Sequence, residues 1–159
     1  MVKVLIVYDS KTGNTEKMAK AVADGAEQVE GVKVQVKRIE DTSLEDLVRA
    51  DGIVLGSPVY YGQMSGKLKS LIDKSVKIHG KLEGKVGAAF TSSGGKASGA
   101  ETTLMSMLEA MLVHGMIIQG RSAHKHYGSA SVGTPKTQDR GDCRELGKRV
   151  AVLCLKLQA

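Results

Sequence analysis

Three hydroxyl side chains and a glycine follow the first apolar run of the chain, at the spacing of a turn that could hold a phosphate group. The run ends at Tyr8 and leads into small polar residues, as a buried parallel strand does where it enters a turn. Gly13 allows the backbone to bend, and the sequence becomes helical from Asn14, so the N–H groups of a turn and of a helix N-terminus would face one point. The turn comprises Ser10, Lys11, Thr12, Gly13, Asn14 and Thr15.

The details of this turn favour a terminal monophosphate as its ligand. A triphosphate loop needs Lys followed by Ser or Thr after its last glycine, whereas Asn14 follows Gly13 here. The dinucleotide fingerprint Gly-x-Gly-x-x-Gly is absent as well. On these residues alone, a plain strand-to-helix turn without a ligand is the alternative.

Two further loops carry residues suited to a flat heterocyclic ligand. The loop after the third predicted strand brings two aromatic rings. The loop after the fourth is so rich in Gly, Ser and Thr that its backbone N–H and C=O groups could meet the polar edge of a ring. The first of these loops contains Pro58, Val59, Tyr60, Tyr61 and Gly62, and the second contains Thr91, Ser92, Ser93, Gly94, Gly95, Lys96 and Ala97.

Five apolar strands alternate with five helical segments along the chain. This alternation predicts an α/β fold with a doubly wound, five-stranded parallel sheet and helices on both faces. The predicted strands span 2–8, 32–39, 52–56, 85–91 and 116–119, and the predicted helices span 14–30, 43–50, 64–76, 101–114 and 139–157. We expect the strand order 2-1-3-4-5, in which the order reverses between strands one and three and a ligand binds beyond the carboxyl ends there. The three loops would then meet in one crevice.

Length and composition restrict the classes of function. The 159 residues suit one domain, 1–159, with a single core. The net charge of +6 is spread along the chain, and four Tyr, one Phe and no Trp make a stacking platform for nucleic acid hard to assemble. No stretch reaches the roughly 20 apolar residues of a membrane span, and no signal peptide is recognisable, so we expect a cytoplasmic protein.

The cysteines and histidines do not predict a metal site. Cys143 and Cys154 would lie in one helix about 16 Å apart, too far for a disulfide, and should be reduced thiols. His124 and His126 have no Cys or acidic residue close in sequence to complete a tetrahedral set. They belong to the segment 121–138, which is longer than an ordinary connection and is interpreted as a flap over the ligand.

The predicted helix 101–114 is apolar nearly all round, more than one face of a sheet can bury. Either a second subunit covers the remainder or the helix is deeply buried within the monomer. The sequence does not separate these alternatives.

The pattern of Tyr8, Ser10, Gly13 and Thr15 resembles the signature with which flavodoxins hold the phosphate of flavin mononucleotide (FMN). The run 90–120, containing TSSGGKASGAETTLMSMLEAMLVHGMIIQG, and the loop GSPVYYGQMSG look like the WrbA branch of that superfamily, whose members are FMN-dependent NAD(P)H:quinone oxidoreductases. The likeness covers nearly the whole chain. The chain departs from the branch in having no Trp, a Tyr60 where the family has arginine, and a shorter connection between strands two and three.

This resemblance implies a flavodoxin-like fold with FMN held by the three loops. It also implies that His114 lies beside the flavin and that Tyr60 and His114 shape the reaction pocket, although a histidine at a helix C-terminus is otherwise most often a capping residue. NAD(P)H is the implied donor and a quinone the implied acceptor. A flavodoxin-type carrier that exchanges electrons with a redox protein is the alternative. The resemblance further implies a homodimer or homotetramer.

Overall fold

A parallel sheet of six strands forms the centre of the computed structural model, which describes residues 1–159. The strands are β1 (Val2–Tyr8), β2 (Val32–Arg38), β3 (Gly52–Pro58), β4 (Val86–Ser93), β5 (Ile117–Ile118) and β6 (Ser129–Val132). The helices are α1 (Asn14–Glu27), α2 (Leu44–Arg49), α3 (Gly66–Lys74), α4 (Ala100–Val113) and α5 (Thr137–Gln158). The order β2-β1-β3-β4-β5 confirms the predicted topology, with β6 as an additional strand on β4.

The fifth position of the sheet is divided between two short strands, which the sequence analysis did not predict. β5 pairs with the first two residues of β4, whereas β6 pairs with its last four. The segment between them, 119–128, is therefore an insertion that leaves the sheet halfway along the fifth position, and the predicted irregular segment 121–138 contains a strand. The strand was missed because its sequence, SASV, is short and buries the polar Ser129 and Ser131.

Both faces of the sheet are covered, so its central strands are buried except at Lys3 and Pro58, near the ends of β1 and β3. In β1, Val4 and Ile6 face α1 and α5, while Leu5 and Val7 face the side of α2, α3 and α4. This is why β1 is apolar at every position from Val4 to Tyr8. None of the helices combines the length and the apolar character needed to cross a membrane.

Helices α1 and α5 touch through two glycines. A Cβ atom on Gly147 would lie 1.9 Å from the carbonyl oxygen of Val22, and one on Gly25 would lie 1.9 Å from that of Arg144. Only residues without a side chain allow the two backbones to come this close. The contact lies in the second half of α1, so it fixes the C-terminal part of this helix against α5.

Helix α5 departs from the prediction at its ends. It begins at Thr137 rather than at 139, and Leu157 in its last turn is 49% exposed. The reason is that Cys154 already packs at Gly52, the first residue of β3. The last turn of α5 therefore extends past the amino edge of the sheet.

Candidate functional site

The loop between β1 and α1, residues 9–13 (loop 1), presents backbone donors at a helix N-terminus. Gly13 adopts a positive φ of 96°, and its N–H donates to Ser10 Oγ over 3.1 Å. The neighbouring N–H groups have no hydrogen-bond acceptor within the protein; they belong to Lys11, Thr12, Asn14 and Thr15. Such unpaired donors at the start of a helix are suited to an anion.

The loop after β3, residues 58–63 (loop 2), is a tight turn that projects an aromatic ring. Tyr60 and Gln63 exchange backbone hydrogen bonds of 3.0 and 3.1 Å. Between them Tyr61 and Gly62 both have positive φ angles, 52° and 73°, as in a type I′ turn. Tyr61 is fully exposed and Tyr60 is 41% exposed. Two phenol rings are thus available at the carboxyl edge of the sheet.

The loop after β4, residues 94–99 (loop 3), contacts loop 2 directly, and the strand that precedes it is bonded to the first turn of α1. A Cβ atom on Gly99 would lie 2.7 Å from Gly62 Cα, so loops 2 and 3 meet backbone to backbone. At the end of β4, the carbonyl of Ser92 accepts from Val59 N–H over 2.8 Å, and its hydroxyl lies 2.8 Å from Thr15 Oγ1. The backbone N–H groups of loop 3 have no acceptor in the protein. The three loops therefore lie together at the carboxyl edge of the sheet, as expected from the strand order.

Two of the predicted site residues have different roles from those expected. Thr91 is completely buried, and its hydroxyl donates to the Ser57 carbonyl over 2.7 Å, so it joins β4 to β3 and cannot touch a ligand. Thr15 is 1% exposed and its hydroxyl bonds Ser92, so only its backbone N–H is free.

His114 lies at the opposite edge of the sheet from the three loops, and its predicted place beside the flavin of its own chain is wrong. Helix α4 starts just after loop 3 and runs for 14 residues, which carries its end about 21 Å away. There His114 Nε2 lies 2.7 Å from Ser75 Oγ, and the ring borders an apolar cavity of about 30 Å³. The predicted helix 101–114, which begins directly after the loop at the carboxyl edge, is consistent with this position and not with the one inferred from the resemblance.

The hydrogen bonds of Ser75 determine the tautomer of His114. The Ser75 hydroxyl donates its proton to the Ile72 carbonyl over 2.6 Å, so it must accept from Nε2–H of the imidazole. Nδ1 is then unprotonated, and it is buried without a partner. Burial, and to a lesser degree the nearby His79, lowers the pKa of His114.

The insertion 119–128 is attached to α5 through a buried carboxylate. Asp142 Oδ1 accepts from Arg121 over 3.2 Å and lies 2.8 Å from His124 Nε2. Burial acts to raise the pKa of Asp142, but hydrogen bonds and charge interactions with His124 and Arg121 outweigh burial and hold this pKa below its usual range. No group of three or more His, Cys, Asp or Glu side chains is arranged to hold a metal ion. The flap remains a prediction; Tyr127 and Tyr61 both line a surface groove of about 730 Å³.

One residue of the site was missed in the sequence. Arg38, the last residue of β2, donates from Nη2 to the Ser10 carbonyl of loop 1 over 2.9 Å. In sequence it is one of several basic residues on an edge strand, where Lys and Arg are expected to face solvent. Nothing local in the sequence distinguishes it from those surface cations.

The comparisons with known proteins agree with this geometry. The model of the NADPH-dependent FMN reductase family matches residues 2–128. An NAD(P)H dehydrogenase (quinone) of Archaeoglobus fulgidus is 39% identical over 99% of this chain and 100% of its own length. A flavodoxin of Aquifex aeolicus is 38% identical over 95% and 86%. The crystal structure of a flavodoxin, WrbA-like protein from Agrobacterium tumefaciens superposes with a TM-score of 0.83 at 28% identity, over 98% of this chain and 99% of that one.

The residues present fit FMN. The unpaired N–H groups of loop 1 match a terminal phosphate, and the open space beside Gly13, where a Cβ would meet nothing within 4 Å, leaves room for it. Tyr60 and Tyr61 supply aromatic surface for the ring system, and loop 3 supplies free backbone groups for its polar edge. The chain therefore belongs to the NADPH-dependent FMN reductase family and, within the flavodoxin-like fold, to the WrbA branch, and it is an oxidoreductase with FMN as its cofactor.

Proposed function

We propose that this protein transfers electrons from NAD(P)H through FMN to a quinone or a similar small acceptor. The observation that carries the proposal is the set of unpaired N–H donors in loop 1, next to two exposed tyrosines and a loop with free backbone groups. When bound, FMN supplies the redox chemistry. The protein binds it, orients it and limits what can reach it.

Each loop has a distinct part in this proposal. Loop 1 holds the phosphate through backbone N–H groups, with Ser10 and Thr12 as flanking hydroxyls. Tyr60 and Tyr61 of loop 2 lie against the isoalloxazine ring and restrict access to it. Loop 3, from Gly94 to Ala97, provides N–H and C=O groups for the ring's polar edge, and Ser92 and Ser93 support its base.

Comparison of FMN with riboflavin tests the role of loop 1, because riboflavin lacks only the phosphate. Ser10→Ala combined with Thr12→Val should weaken FMN about tenfold and riboflavin much less. Ser70→Ala combined with Ser122→Ala, which removes two exposed hydroxyls elsewhere, is the matched control. Equal losses of affinity for FMN and riboflavin in the loop 1 variant would show that loop 1 does not bind the phosphate.

The donor and acceptor are tested on the FMN-loaded protein. NADH or NADPH should bleach the flavin absorbance near 450 nm rapidly, and a soluble quinone should restore it, with one NAD(P)H consumed per quinone reduced (about 1:1). The comparison of the two nucleotides also identifies the preferred donor. Failure of both nucleotides to bleach a correctly bound flavin would contradict the proposed enzyme.

An electron carrier is the second candidate. The complete exposure of Tyr61 leaves the site open to a large partner, and one relative is named a flavodoxin. Bleaching only in the presence of a separate reductase protein would favour this function. The predicted cytoplasmic location and the organisation of 1–159 as one domain are compatible with both candidates.

We also propose that the protein is a homodimer or homotetramer. Helix α4 buries Leu104, Met107 and Met111 but leaves Leu112 57% and Val113 72% exposed. The apolar surface that remains is thus confined to the end of α4, where a second copy would cover it. Sedimentation should show a dimer or larger species, and a monomer at micromolar concentration would contradict this assembly.

A further inference from the structure

Arg38 connects loop 1 to three other parts of the molecule. Its position is fixed because it pairs in register with Tyr8 across the β1–β2 ladder. Nη1 lies 3.7 Å from Glu16 in the first turn of α1, and Nε lies 3.6 Å from Glu40. The guanidinium also lies over the Tyr8 ring, 5.5 Å from its centroid. Its hydrogen bond to the Ser10 carbonyl completes this set.

The bond to Ser10 determines the direction of a peptide group in loop 1. No peptide bond of the chain is cis, and in a trans peptide the C=O and N–H point in opposite directions. When the Ser10 oxygen turns toward Arg38, the N–H of Lys11 turns away from it. That N–H is one of the unpaired donors of loop 1. A carbonyl oxygen facing a bound phosphate would repel it, so the orientation of this peptide matters.

Arg38 also compensates a negative charge close to the phosphate site. Glu16 lies in the first turn of α1 and would disfavour an anion at that helix end. Arg38 and Lys20 are its two cationic neighbours, at 3.7 and 3.4 Å. Lys20 is on the exposed side of α1, so Arg38 is the cation that contacts both Glu16 and loop 1.

We propose that Arg38 is a positioning residue that holds the Ser10–Lys11 peptide with its N–H toward the phosphate, and so makes the site selective for phosphorylated flavin over riboflavin. The proposal rests on the assignment of loop 1 as the FMN phosphate site. Arg38 acts through the loop backbone, since its guanidinium is already engaged by Ser10, Glu16 and Glu40.

The test compares Arg38→Met with Arg49→Met. Arg49 is an exposed arginine at the end of α2 with one ion pair, to Glu45, so both variants lose one charge and at least one ion pair. Dissociation constants for FMN and for riboflavin are measured by quenching of flavin fluorescence. Arg38→Met should weaken FMN roughly tenfold to hundredfold, as for loss of a charge-assisted hydrogen bond, and riboflavin less than about threefold. Arg49→Met should change neither.

Two further variants separate positioning from charge. Arg38→Lys keeps the charge but lacks the planar fork that reaches both the carbonyl and the carboxylates, and should recover only part of the loss. Glu16→Gln, added to Arg38→Met, removes the uncompensated carboxylate and should restore less than about threefold of FMN affinity. Full restoration by Glu16→Gln would show that Arg38 only balances charge, and would overturn the proposal.

A spectroscopic measurement does not depend on activity. In the ligand-free protein the amide resonance of Lys11 should shift in Arg38→Met and stay near its original place in Arg49→Met. In the complex, the phosphorus resonance of FMN should broaden or move in the first variant only. If Arg38→Met fails to fold, as urea unfolding will show, Arg38→Lys carries the same measurements. An unshifted Lys11 amide in either folded variant would overturn the proposal.

The controls distinguish this proposal from the proposed function. If the parent protein binds FMN and riboflavin equally, loop 1 is not the phosphate site, and the proposed role of Arg38 is refuted as well. If the parent prefers FMN and Arg38→Met retains the same preference, only the role of Arg38 is refuted.

Discussion

The hydroxyls of Thr15 and Ser92 lie 2.8 Å apart, and their hydrogen bond joins the first turn of α1 to the carboxyl end of β4. Both residues are buried, at 1% and 7% exposure. The bond joins the helix that follows loop 1 to the strand that precedes loop 3, so two of the three site loops are anchored to each other. Burial of both partners makes the bond sensitive to loss of either one, because the remaining hydroxyl would be left unpaired.

Thr15→Val and Ser92→Ala should each lower the free energy of unfolding by about 1–2 kcal/mol, whereas the double variant should cost less than the sum. The reason is that the second substitution removes the hydroxyl left unpaired by the first. Urea unfolding of the ligand-free protein measures all four corners of this cycle. Strictly additive losses would show that the two hydroxyls do not interact.

Acidification should destabilise the protein through His114. Its pKa is lowered in the folded state by burial and by His79, so below the ordinary imidazole pKa of about 6.5 the unfolded chain takes up the proton more readily. The contribution of His114 is therefore fully retained above pH 6.5 and is lost progressively as the pH falls toward its folded pKa. His114→Gln, whose amide can still donate to Ser75, should flatten the dependence of unfolding free energy between pH 7.5 and 5. The exposed His126→Gln is the control, and equal slopes in parent and His114→Gln would contradict this account.

Alanine at Gly147 should disrupt the contact between α1 and α5. The new Cβ would lie 1.9 Å from the Val22 carbonyl oxygen, a backbone atom that cannot move alone, and we expect a loss of about 1–3 kcal/mol or more. Gly141 lies in the same helix, and a methyl group there would meet nothing within 4 Å, so Gly141→Ala should instead gain about 0.5–1 kcal/mol. Thermal unfolding of the pair measures both signs. An unchanged thermal stability of Gly147→Ala would mean that α1 and α5 lie farther apart than the 1.9 Å distance implies.

The two cysteines should be unreactive in the native protein. Burial raises the pKa of Cys143 to about 12 and that of Cys154 to about 11. At pH 8 the thiolate fractions are then only about 10⁻⁴ and 10⁻³. A chromogenic disulfide reagent should label both thiols in 6 M guanidinium and neither, over the same time, in buffer. Rapid labelling of the native protein would show that α5 opens readily.

Binding of FMN should protect the segment that contains the insertion. If Tyr127 and its neighbours cover the flavin, trypsin should cut at Arg121, Lys125 or Lys136 more slowly when FMN is bound. Zinc should leave the rate unchanged. Asp142→Asn, which weakens the attachment of the insertion to α5, should accelerate cleavage with or without the cofactor. Cleavage indifferent to FMN would show that the insertion is only a connection.

The strand order and the meeting of the three loops could be predicted because they depend on patterns that the sequence displays directly. β1 is apolar without interruption from Val4 to Tyr8, and each loop follows an apolar segment with Gly, Ser or Thr. Alternation of strand and helix then leaves few topologies, and all place these loops at one edge. Helix boundaries were predicted within a few residues for the same reason, since Gly31 and Gly115 mark the ends of apolar periodic segments.

The remaining features depend on tertiary contacts that no local pattern displays. β6 is a strand because β4 offers a free edge, whereas its own residues carry no apolar alternation. His114 was misplaced because the resemblance around VHGM was followed, although the predicted helix 101–114 already separates His114 from loop 3 by about 20 Å. Thr15 and Thr91 use their hydroxyls inside the protein, and the sequence cannot show whether a buried hydroxyl has a neighbour. The contact of Arg38 with loop 1 depends on the pairing of β2 with β1, which brings two segments distant in sequence together.

Because the fifth strand position is divided, the residues that pair with β4 are different from the residues that adjoin the groove. In an unbroken strand the same residues would have to do both. β5 and β6 pair with β4 separately, so neither pairing requires a particular length of chain between Ile118 and Gly128. That stretch stands beside the groove near Tyr61, where an acceptor or partner would approach. We therefore expect that residues of this stretch can be exchanged or added without loss of either strand pairing, and that such changes alter what the groove accepts.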